Sequence, residues 1–254
     1  MPQMAAGCLS ENWLLKELGS LHWDRLCDSL NCKSHDLADA KGRRLYATFV
    51  RVRLILDGTL AAFQEGDDLR MIIQMERFGK STLLSTIDIA SATSSGTAMM
   101  MSTFSFRTEA NNTSLAKSEP AGDYSESIAQ LVETPRFFTE YSEVRKRFGK
   151  ERNDGLSAEA YQINPFTDSN GANLLYFASY QSIHDFLSSR GAPDFHTKLR
   201  DIYYFRNCEL VDRVTLTRAS EISANSDSIR REDMLFRASD SESIAYVSTL
   251  KERV

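Results

Sequence analysis

The hydrophobic period changes along the chain in the same order twice, and this change limits the fold more than any single motif does. Residues 10–30 carry leucines at spacings of three and four, which predicts an amphipathic helix. Four runs with a period of two follow, as is typical of β-strands. They read "LYATFVRVRLIL", "DDLRMIIQMERF", "KSTLLSTIDIA" and "TAMMMSTFSFRT". We therefore expect one long helix followed by an antiparallel sheet.

The second half of the sequence repeats this order. "INPFTDSNGANLLYFASYQSIHDFLSSR" predicts a short strand, a polar turn and a helix over about 173–190. Four strand-like runs follow: "RDIYYFRNCEL", "DRVTLTRASEIS", "DSIRREDMLFRAS" and "SIAYVSTLKER". Each half also carries X-Pro, then Asn, then two leucines, and later His and Asp, which indicates a weak internal repeat.

A helix followed by an antiparallel sheet, twice in one chain, predicts an α+β protein with the double hot-dog arrangement, in which each sheet wraps a long helix. The predicted organisation is a first subdomain over 1–106, a linker with a basic helical segment over 107–157, and a second subdomain over 158–254.

Composition and charge narrow the class of protein. The chain has 254 residues, of which 42% are hydrophobic, enough for a large core. Its net charge of -5 argues against nucleic-acid binding. An apolar run of about 18 residues is missing, so no membrane span is expected, and the first residues lack the features of a signal peptide. The cysteines (Cys8, Cys27, Cys32 and Cys208) are not spaced as metal ligands, which predicts free thiols in a reducing cytoplasm and no metal site.

Common catalytic motifs do not account for a function. The sequence has no GxSxG, no HExxH, no P-loop and no GxGxxG after a strand. His22 and His184 stand at matching points of the two predicted helices, which favours a packing role. Gly19, in the middle of the first helix, costs about 1 kcal/mol relative to Ala. We expect it to allow close approach of another backbone.

The start of each predicted helix is the first candidate site. "AAGCLSEN" and "TDSNGAN" lead small or polar residues into a helix whose first amides are free. Such amides can hold a thioester carbonyl and stabilise an oxyanion. Simple capping explains the same residues and stays open, above all for the first segment.

Tyr46 is the second candidate. In a regular strand Tyr46 lies on one face and Arg51 and Arg53 on the other. The residues expected beside Tyr46 are Thr48, Val50, Val52 and Leu54. A phenol has a pKa of about 10, so it needs a base to act as a nucleophile at neutral pH, and none stands beside it in the sequence. From the residues alone, a half-buried strand tyrosine and a nucleophile both remain open.

Four stretches together resemble the LnmK family of bifunctional acyltransferase/decarboxylases, over nearly the whole chain. They are "MPQMAAGCLSENWLLKELGSLHWDRL", "GRRLYATFVRVRL", "NPFTDSNGANLLYFASYQSI" and "RDIYYFRNCEL". The resemblance implies a double hot dog that acts on methylmalonyl-CoA. Decarboxylation gives an enolate, the enolate takes the proton of a tyrosine, and the phenolate captures the propionyl group. The group then passes to the phosphopantetheine thiol of an acyl carrier protein. Tyr46 stands where this tyrosine is expected.

With this chemistry the remaining candidates acquire roles. Asn170, Gly171 and Ala172, at the start of the second helix, are expected to hold the thioester oxygen, and Asn207 to reach a thioester or carboxylate oxygen or to be a turn residue. Two basic groups are expected to contact the CoA phosphates or an acidic carrier protein: Arg43 and Arg44 beside Tyr46, and the cluster of Arg145, Lys146, Arg147 and Lys150, for which a solvated helix face is the alternative. The CoA thioester is then a substrate and no cofactor is tightly bound; a homodimer stays open.

Two other functions remain open. A hot-dog thioesterase or dehydratase needs an acid near a helix start, for which Asp168 and Glu11 are the candidates. A non-catalytic partner in a synthase assembly needs neither. Malonyl-CoA, which would give an acetyl group, is an alternative substrate to methylmalonyl-CoA.

Overall fold

A computed structural model describes residues 3–5, 7–108, 115–153, 159–188 and 194–254, save the side chains of 223–225. Within these residues the helices are α1 (Glu11–Ser29), α2 (Arg136–Phe148) and α3 (Ser179–Ser188), with a short 3-10 turn at Leu60–Ala62. The strands are β1 (Met4–Ala5), β2 (Cys8–Leu9), β3 (Tyr46–Leu56), β4 (Arg70–Phe78), β5 (Thr82–Ala90), β6 (Ser95–Arg107), β7 (Leu115–Lys117), β8 (Ala129–Gln130), β9 (Ala160–Gln162), β10 (Phe195–Tyr204), β11 (Arg213–Asn225), β12 (Ser228–Arg237) and β13 (Ser243–Arg253).

One sheet of eleven strands runs through the whole molecule. Its order is β8-β4-β5-β6-β3-β10-β13-β12-β11-β9, with β7 paired to β6, and every pairing except β4 with β8 is antiparallel. Strands β3 and β10 join the half built by the earlier strands to the half built by the later ones. The four strand runs of the first half and the last three of the second half are confirmed. The run "RDIYYFRNCEL" is a strand only as far as Tyr204, and the short strand expected at Ile163 lies instead at Ala160–Gln162. The subdomain boundaries stay a prediction.

The helices lie on opposite faces of this sheet. Side chains of α1 and α3 pack with one set of alternating strand residues, such as Val52, Met100 and Ile202. Side chains of α2 pack with the other set, such as Met101 and Tyr203. Each half thus wraps a helix on the inner face, which confirms the double hot dog. The helix α2 crosses the outer face near the join.

The second central helix is shorter than predicted. A helix was expected over about 173–190, but α3 begins at Ser179. Leu174 and Leu175 instead form isolated β-bridges with Glu209 and Ser169, and Asn173 has a positive φ of 56°. Both leucines are buried from an extended segment, so the apolar residues that favoured a helix here do not belong to one. The predicted helix start at residues 170–172 is therefore wrong.

Helix α1 matches its predicted bounds, and Ser10 caps it by accepting a hydrogen bond from the Trp13 amide at 3.3 Å. Gly19 does allow a close approach, though to a side chain. A Cβ added at Gly19 would lie 2.6 Å from Cζ of Phe177. The absence of a side chain lets the Phe177 ring lie directly on the helix.

A β-bulge reverses the predicted orientation of Tyr46. The β3–β6 register shifts between Phe49 and Arg51, so one extra residue enters β3 there. Phe49 consequently faces α1, where its ring centroid lies 5.0 Å from that of His22. Since successive side chains alternate, Tyr46 and Thr48 lie on the outer face with Arg51. The prediction that Tyr46 shares a face with Val52 and Leu54 is wrong.

Arg51 holds the two halves and α2 together. Its guanidinium donates to both carboxylate oxygens of Asp201 on β10, at 3.0 and 2.9 Å. It also donates to the Phe137 carbonyl at 2.7 Å and to Glu140 at 2.8 Å, both on α2. The side chain is fully buried and lies between the rings of Phe137 and Tyr203, 3.9 and 4.4 Å from their centroids.

The two helical histidines are buried, as their packing interpretation requires. His22 contacts the hydroxyls of Ser85 and Ser102 at 2.6 and 2.8 Å. His184 lies 2.9 Å from Asp233 and accepts from Arg200 at 2.8 Å, so its other ring nitrogen carries the proton. The described cysteines are free thiols. No helix in the described ranges is long and apolar enough to cross a membrane.

Asp201→Ala is expected to lower the free energy of unfolding by about 3–5 kcal/mol, because it leaves a buried guanidinium without its main partner. Urea unfolding followed by circular dichroism measures this change. Asp88→Ala removes an exposed carboxylate from the same sheet and is expected to stay within about 0.5 kcal/mol of wild type. Equal effects of the two substitutions would contradict the role given to Arg51.

Burial lowers the pKa of His22 to about 3, whereas the unfolded chain has a histidine pKa of about 6.5. Between these values the unfolded state binds a proton that the folded state excludes. Stability is therefore fully present above about pH 6.5 and falls on acidification, by up to about 1.4 kcal/mol per pH unit. Urea midpoints at pH 7 and pH 5.5 measure this slope. We expect His22→Gln to reduce it and the exposed-residue control His35→Gln to leave it unchanged; a slope that survives His22→Gln would refute the assignment.

Candidate functional site

The sheet opens at the join between its halves. Strand β3 pairs with β6 along its whole length, from Tyr46 to Leu56. On its other side it pairs with β10 only over Arg51–Ile55. After Tyr204 the chain turns towards β13, where Phe205 and Arg206 bond to the Ile244 carbonyl. Residues 46–50 therefore face a gap rather than a strand.

A cleft of about 1250 Å³ occupies this gap. Its lining comes from both faces of the sheet: Lys16, Gly19 and Trp23 of α1 from one side, and Tyr141 and Arg145 of α2 from the other. The cleft thus passes through the sheet between its two halves. Apolar residues line it on both faces. Phe49, Leu175 and Phe177 belong to the core on the α1 side, and Val50 and Phe205 to the core on the α2 side.

Most of the predicted site residues line this one cleft. They come from β3 and the residues before it, from the end of α2, and from two loops of the second half: Arg44, Tyr46, Arg145, Lys146, Lys150, Asn170, Gly171, Ala172 and Asn207. These residues are far apart in sequence, and the fold brings them together. Their individual roles stay predictions.

Arg43 and Arg147 are not among the lining residues. Arg43 forms an ion pair with the buried Asp39, at 2.6 Å, and its guanidinium lies 3.6 Å from the Phe106 ring centroid. Arg147 lies 4.6 Å from the Phe148 ring centroid, on an exposed part of α2. These contacts lie outside the cleft that the neighbouring Arg44 and Lys146 line.

The loop at residues 170–172 is held by side chains, not by a helix. The Asn170 side-chain oxygen accepts from the amides of Ala172 and Leu174, at 2.9 and 3.3 Å. Arg107 on β6 donates to the Ala172 carbonyl at 2.8 Å. Arg107 lies two residues beyond Ser105, the partner of Tyr46 across the β3–β6 pair. The loop is thereby fixed near the strand that carries Tyr46.

The cleft is strongly basic, although the chain is acidic. Eight basic residues and one acid line it among the described residues: Lys16, Arg44, Arg107, Lys117, Arg145, Lys146, Lys150, Arg206 and Glu242. Glu242 pairs with Arg206 at 2.8 Å. The others form no ion pair within the described part of the chain. A cleft of this charge attracts anions, and phosphate groups above all.

Tyr46 differs from most tyrosines of the cleft. The hydroxyls of Tyr141, Tyr180 and Tyr204 donate to backbone carbonyls, and burial raises the pKa of each of these phenols. Burial also raises the pKa of Tyr176. The Tyr46 hydroxyl has no hydrogen bond to the described residues, and the Arg44 guanidinium lies 5.3 Å from its ring centroid.

The acids proposed for a thioesterase lie elsewhere. Glu11 is buried in an ion pair with Arg200, at 2.7 Å, and accepts from Thr197. Asp168 accepts from the Tyr161 hydroxyl at 3.0 Å and from the Asn164 amide at 2.8 Å. Neither lines the cleft, and none of the described lining residues is a histidine, cysteine or aspartate.

The sequence interpretation missed several residues of this site. Lys16, Arg107, Lys117 and Arg206 are isolated basic residues that the fold gathers, so no local pattern could reveal them. The ring centroid of Phe177 lies 4.3 Å from that of Phe49, with the two rings tilted by 46°, and Phe49 in turn contacts His22. Gly19 was the one signal in the sequence for this aromatic wall.

The sequence matches no family model and no curated protein. Its fold is similar to that of solved structures: an acyl-ACP thioesterase from Bacteroides thetaiotaomicron (TM-score 0.65, 11% identity, 98% of this chain and 93% of that one), and a 12:0-ACP thioesterase from Umbellularia californica (TM-score 0.64, 10% identity, 100% and 94%). A third, from Lactobacillus plantarum, is described as an oleoyl thioesterase (TM-score 0.67, 12% identity, 98% and 90%). At these identities the similarity establishes the fold.

Proposed function

We propose that this protein is an enzyme that acts on acyl thioesters, and that it decarboxylates methylmalonyl-CoA or malonyl-CoA and transfers the acyl group through Tyr46 to an acyl carrier protein. The observation that carries the proposal is the cleft itself, because apolar side chains, basic side chains and the Tyr46 phenol, which has no hydrogen bond to the described residues, all line it. The phosphates of CoA, or of a carrier's phosphopantetheine, suit the basic residues. The solved structures of similar fold include two acyl-ACP thioesterases, which supports the substrate class.

The proposed chemistry needs no separate base. An apolar surrounding favours loss of the substrate carboxylate, because the negative charge spreads onto the thioester enolate as carbon dioxide leaves. The enolate carbon then takes the Tyr46 proton. The resulting phenolate attacks the thioester carbonyl, the carbon–sulfur bond breaks, and CoA leaves as a thiolate that takes a proton from solvent. Arg44 beside the ring stabilises the phenolate.

Transfer completes the cycle. The carrier thiol loses its proton, attacks the acyl-tyrosine ester and releases the Tyr46 phenolate, which takes a proton from solvent. The Gly171 amide is the candidate to hold the thioester oxygen, because the amides of Asn170 and Ala172 donate within the loop, to the Leu174 carbonyl and the Asn170 side chain. Asn207, whose carbonyl accepts from Arg237 at 2.8 Å, is a second candidate.

Hydrolysis of an acyl thioester is the second candidate function, favoured by the names of the solved structures with a similar fold. The positions of Glu11 and Asp168 outside the cleft weaken it. The two functions can be told apart by mass. Acyl transfer passes through a covalent adduct on the protein, whereas hydrolysis releases free acid without such an adduct.

Tyr46→Phe is expected to abolish acylation, because it removes only the hydroxyl that takes the acyl group. Intact-mass measurement after mixing with methylmalonyl-CoA checks this: wild type should gain a propionyl mass and release carbon dioxide, while the variant gains none. Some decarboxylation can persist in the variant.

The matched control is Tyr176→Phe, which removes another phenol from the same cleft and should leave acylation intact. An acyl mass on the Tyr46→Phe protein, or wild-type loading of the carrier, would remove Tyr46 from the mechanism. Free acid without any adduct on wild type would favour the hydrolase.

Charge reversal at Arg145 and Lys146 tests the basic end of α2. The double variant Arg145→Glu/Lys146→Glu is expected to slow acyl transfer to an acidic carrier protein by at least about tenfold at low salt, because complementary charge steers encounter. Acylation of Tyr46 from CoA should change less. Single-turnover kinetics of each half-reaction separate the two.

Arg147→Glu is the internal control, since this residue carries the same charge on the same helix but does not line the cleft. Equal slowing by Arg147→Glu would indicate a general effect of net charge rather than a docking contact.

A further inference from the structure

The hydrogen bonds of β6 show which backbone groups of β3 point towards β6 and which point away from it. On β6, Phe104 donates its amide to the Ser81 carbonyl and accepts from the Ser118 amide, each at 3.2 Å. Both partners lie on the side of β6 away from β3. Ala47 stands directly opposite Phe104. This is therefore a non-hydrogen-bonded pair, in which the N–H and C=O of both residues point away from each other.

Two residues of β3 consequently present backbone groups to the cleft. The N–H and C=O of Ala47 point away from β6, and those of Phe49, two residues on and before the bulge, follow the same phase. Both residues line the cleft, and β10 begins to pair only at Arg51. These four groups have no hydrogen bond to the described part of the chain. Both residues are only partly buried, so a ligand in the cleft can reach these backbone groups and pair with them.

We infer that the edge of β3 at Ala47 and Phe49 binds the pantetheine arm of the thioester substrate as an added strand. The inference rests on the proposed function. The arm is a linear chain with two secondary amides, each with one donor and one acceptor, so it can pair with a free strand edge as extended peptides do. Its phosphate end then meets the basic lining, and its thioester end lies beside Tyr46, the neighbour of Ala47.

Binding of the arm at this edge determines the order in which CoA and the carrier protein bind. One edge accommodates one arm, so the arm of CoA must leave before the arm of the carrier protein enters. The acyl group has to stay on the protein between the two, which an ester on Tyr46 accomplishes. Donor and acceptor arms should therefore compete for the same site.

Backbone hydrogen exchange with CoA as the probe tests the inference without requiring turnover. We expect CoA to slow exchange of the Ala47 and Phe49 amides by at least about tenfold, as a new hydrogen bond would. The Thr48 amide faces β6 and serves as the internal control, whose exchange should not change. Adenosine 3′,5′-bisphosphate, which carries phosphates but no arm, should not protect Ala47 or Phe49.

The outcomes separate this inference from the proposed function. Binding of CoA without protection of Ala47 and Phe49 would overturn the inference and leave the proposed function standing, whereas failure of CoA to bind would overturn both. A ligand-side test adds a second measurement: a pantetheine analogue with the amide nearest the sulfur replaced by an ester should bind about tenfold more weakly, and equal binding would count against the edge.

Discussion

The buried guanidinium of Arg51 sets the geometry on which the rest of the structure depends. It contacts β10 through Asp201 and α2 through Glu140 and the Phe137 carbonyl. A buried charge is tolerated only when it is paired and hydrogen-bonded, so these partners must stay together. One side chain therefore fixes both the join between the two half-sheets and the crossing of α2 over it. Since α2 carries part of the basic lining of the cleft, the same contact also places those charges.

The opening of the sheet begins where this contact ends. Pairing of β3 with β10 stops at Arg51, and the bulge lies between Phe49 and Arg51. The bulge turns Phe49 towards α1 and leaves Tyr46 on the outer face, so the apolar wall and the phenol come from neighbouring positions of one strand. Tyr46 and Phe49 are three residues apart, and side chains alternate along a strand, so the two side chains lie on opposite faces. One short segment thus lines the cleft from both faces of the sheet. Architecture and candidate chemistry are coupled at these few residues.

The sequence predicted the elements better than their local geometry. Leucine spacing over 10–30 predicted α1 because a helix must bury one face, and alternation predicted the strands for the same reason. The sequence gives no sign of the bulge, because Val50 is apolar and fits either face of the sheet. The prediction of the face on which Tyr46 lies was therefore wrong. The extended segment before α3 was also missed. Leu174 and Leu175 are buried, and a pair of buried leucines is equally compatible with an extended segment and with a helix. The cleft residues Arg107 and Lys117 have no local signal at all, because only the sheet pairing brings them to Tyr46.

An approximate twofold relation between the halves explains where the cleft lies. The antiparallel pairing of β3 with β10 centres on Arg53 and Asp201, which makes Thr197 the counterpart of Phe49. The bulge recurs there, since the β10–β13 register shifts between Thr197 and Leu199. Yet Thr197 donates to Glu11, and Glu11 is held by the fully buried Arg200, which also contacts Asp185 and His184. A paired charge network thus fills the position in the second half that corresponds to the aromatic wall in the first. The charges of this network are paired with one another, whereas most of the basic residues around Tyr46 form no ion pair within the described part of the chain. The repeat therefore supplies the same scaffold twice, and the distribution of ion pairs decides which copy is available to an anionic ligand.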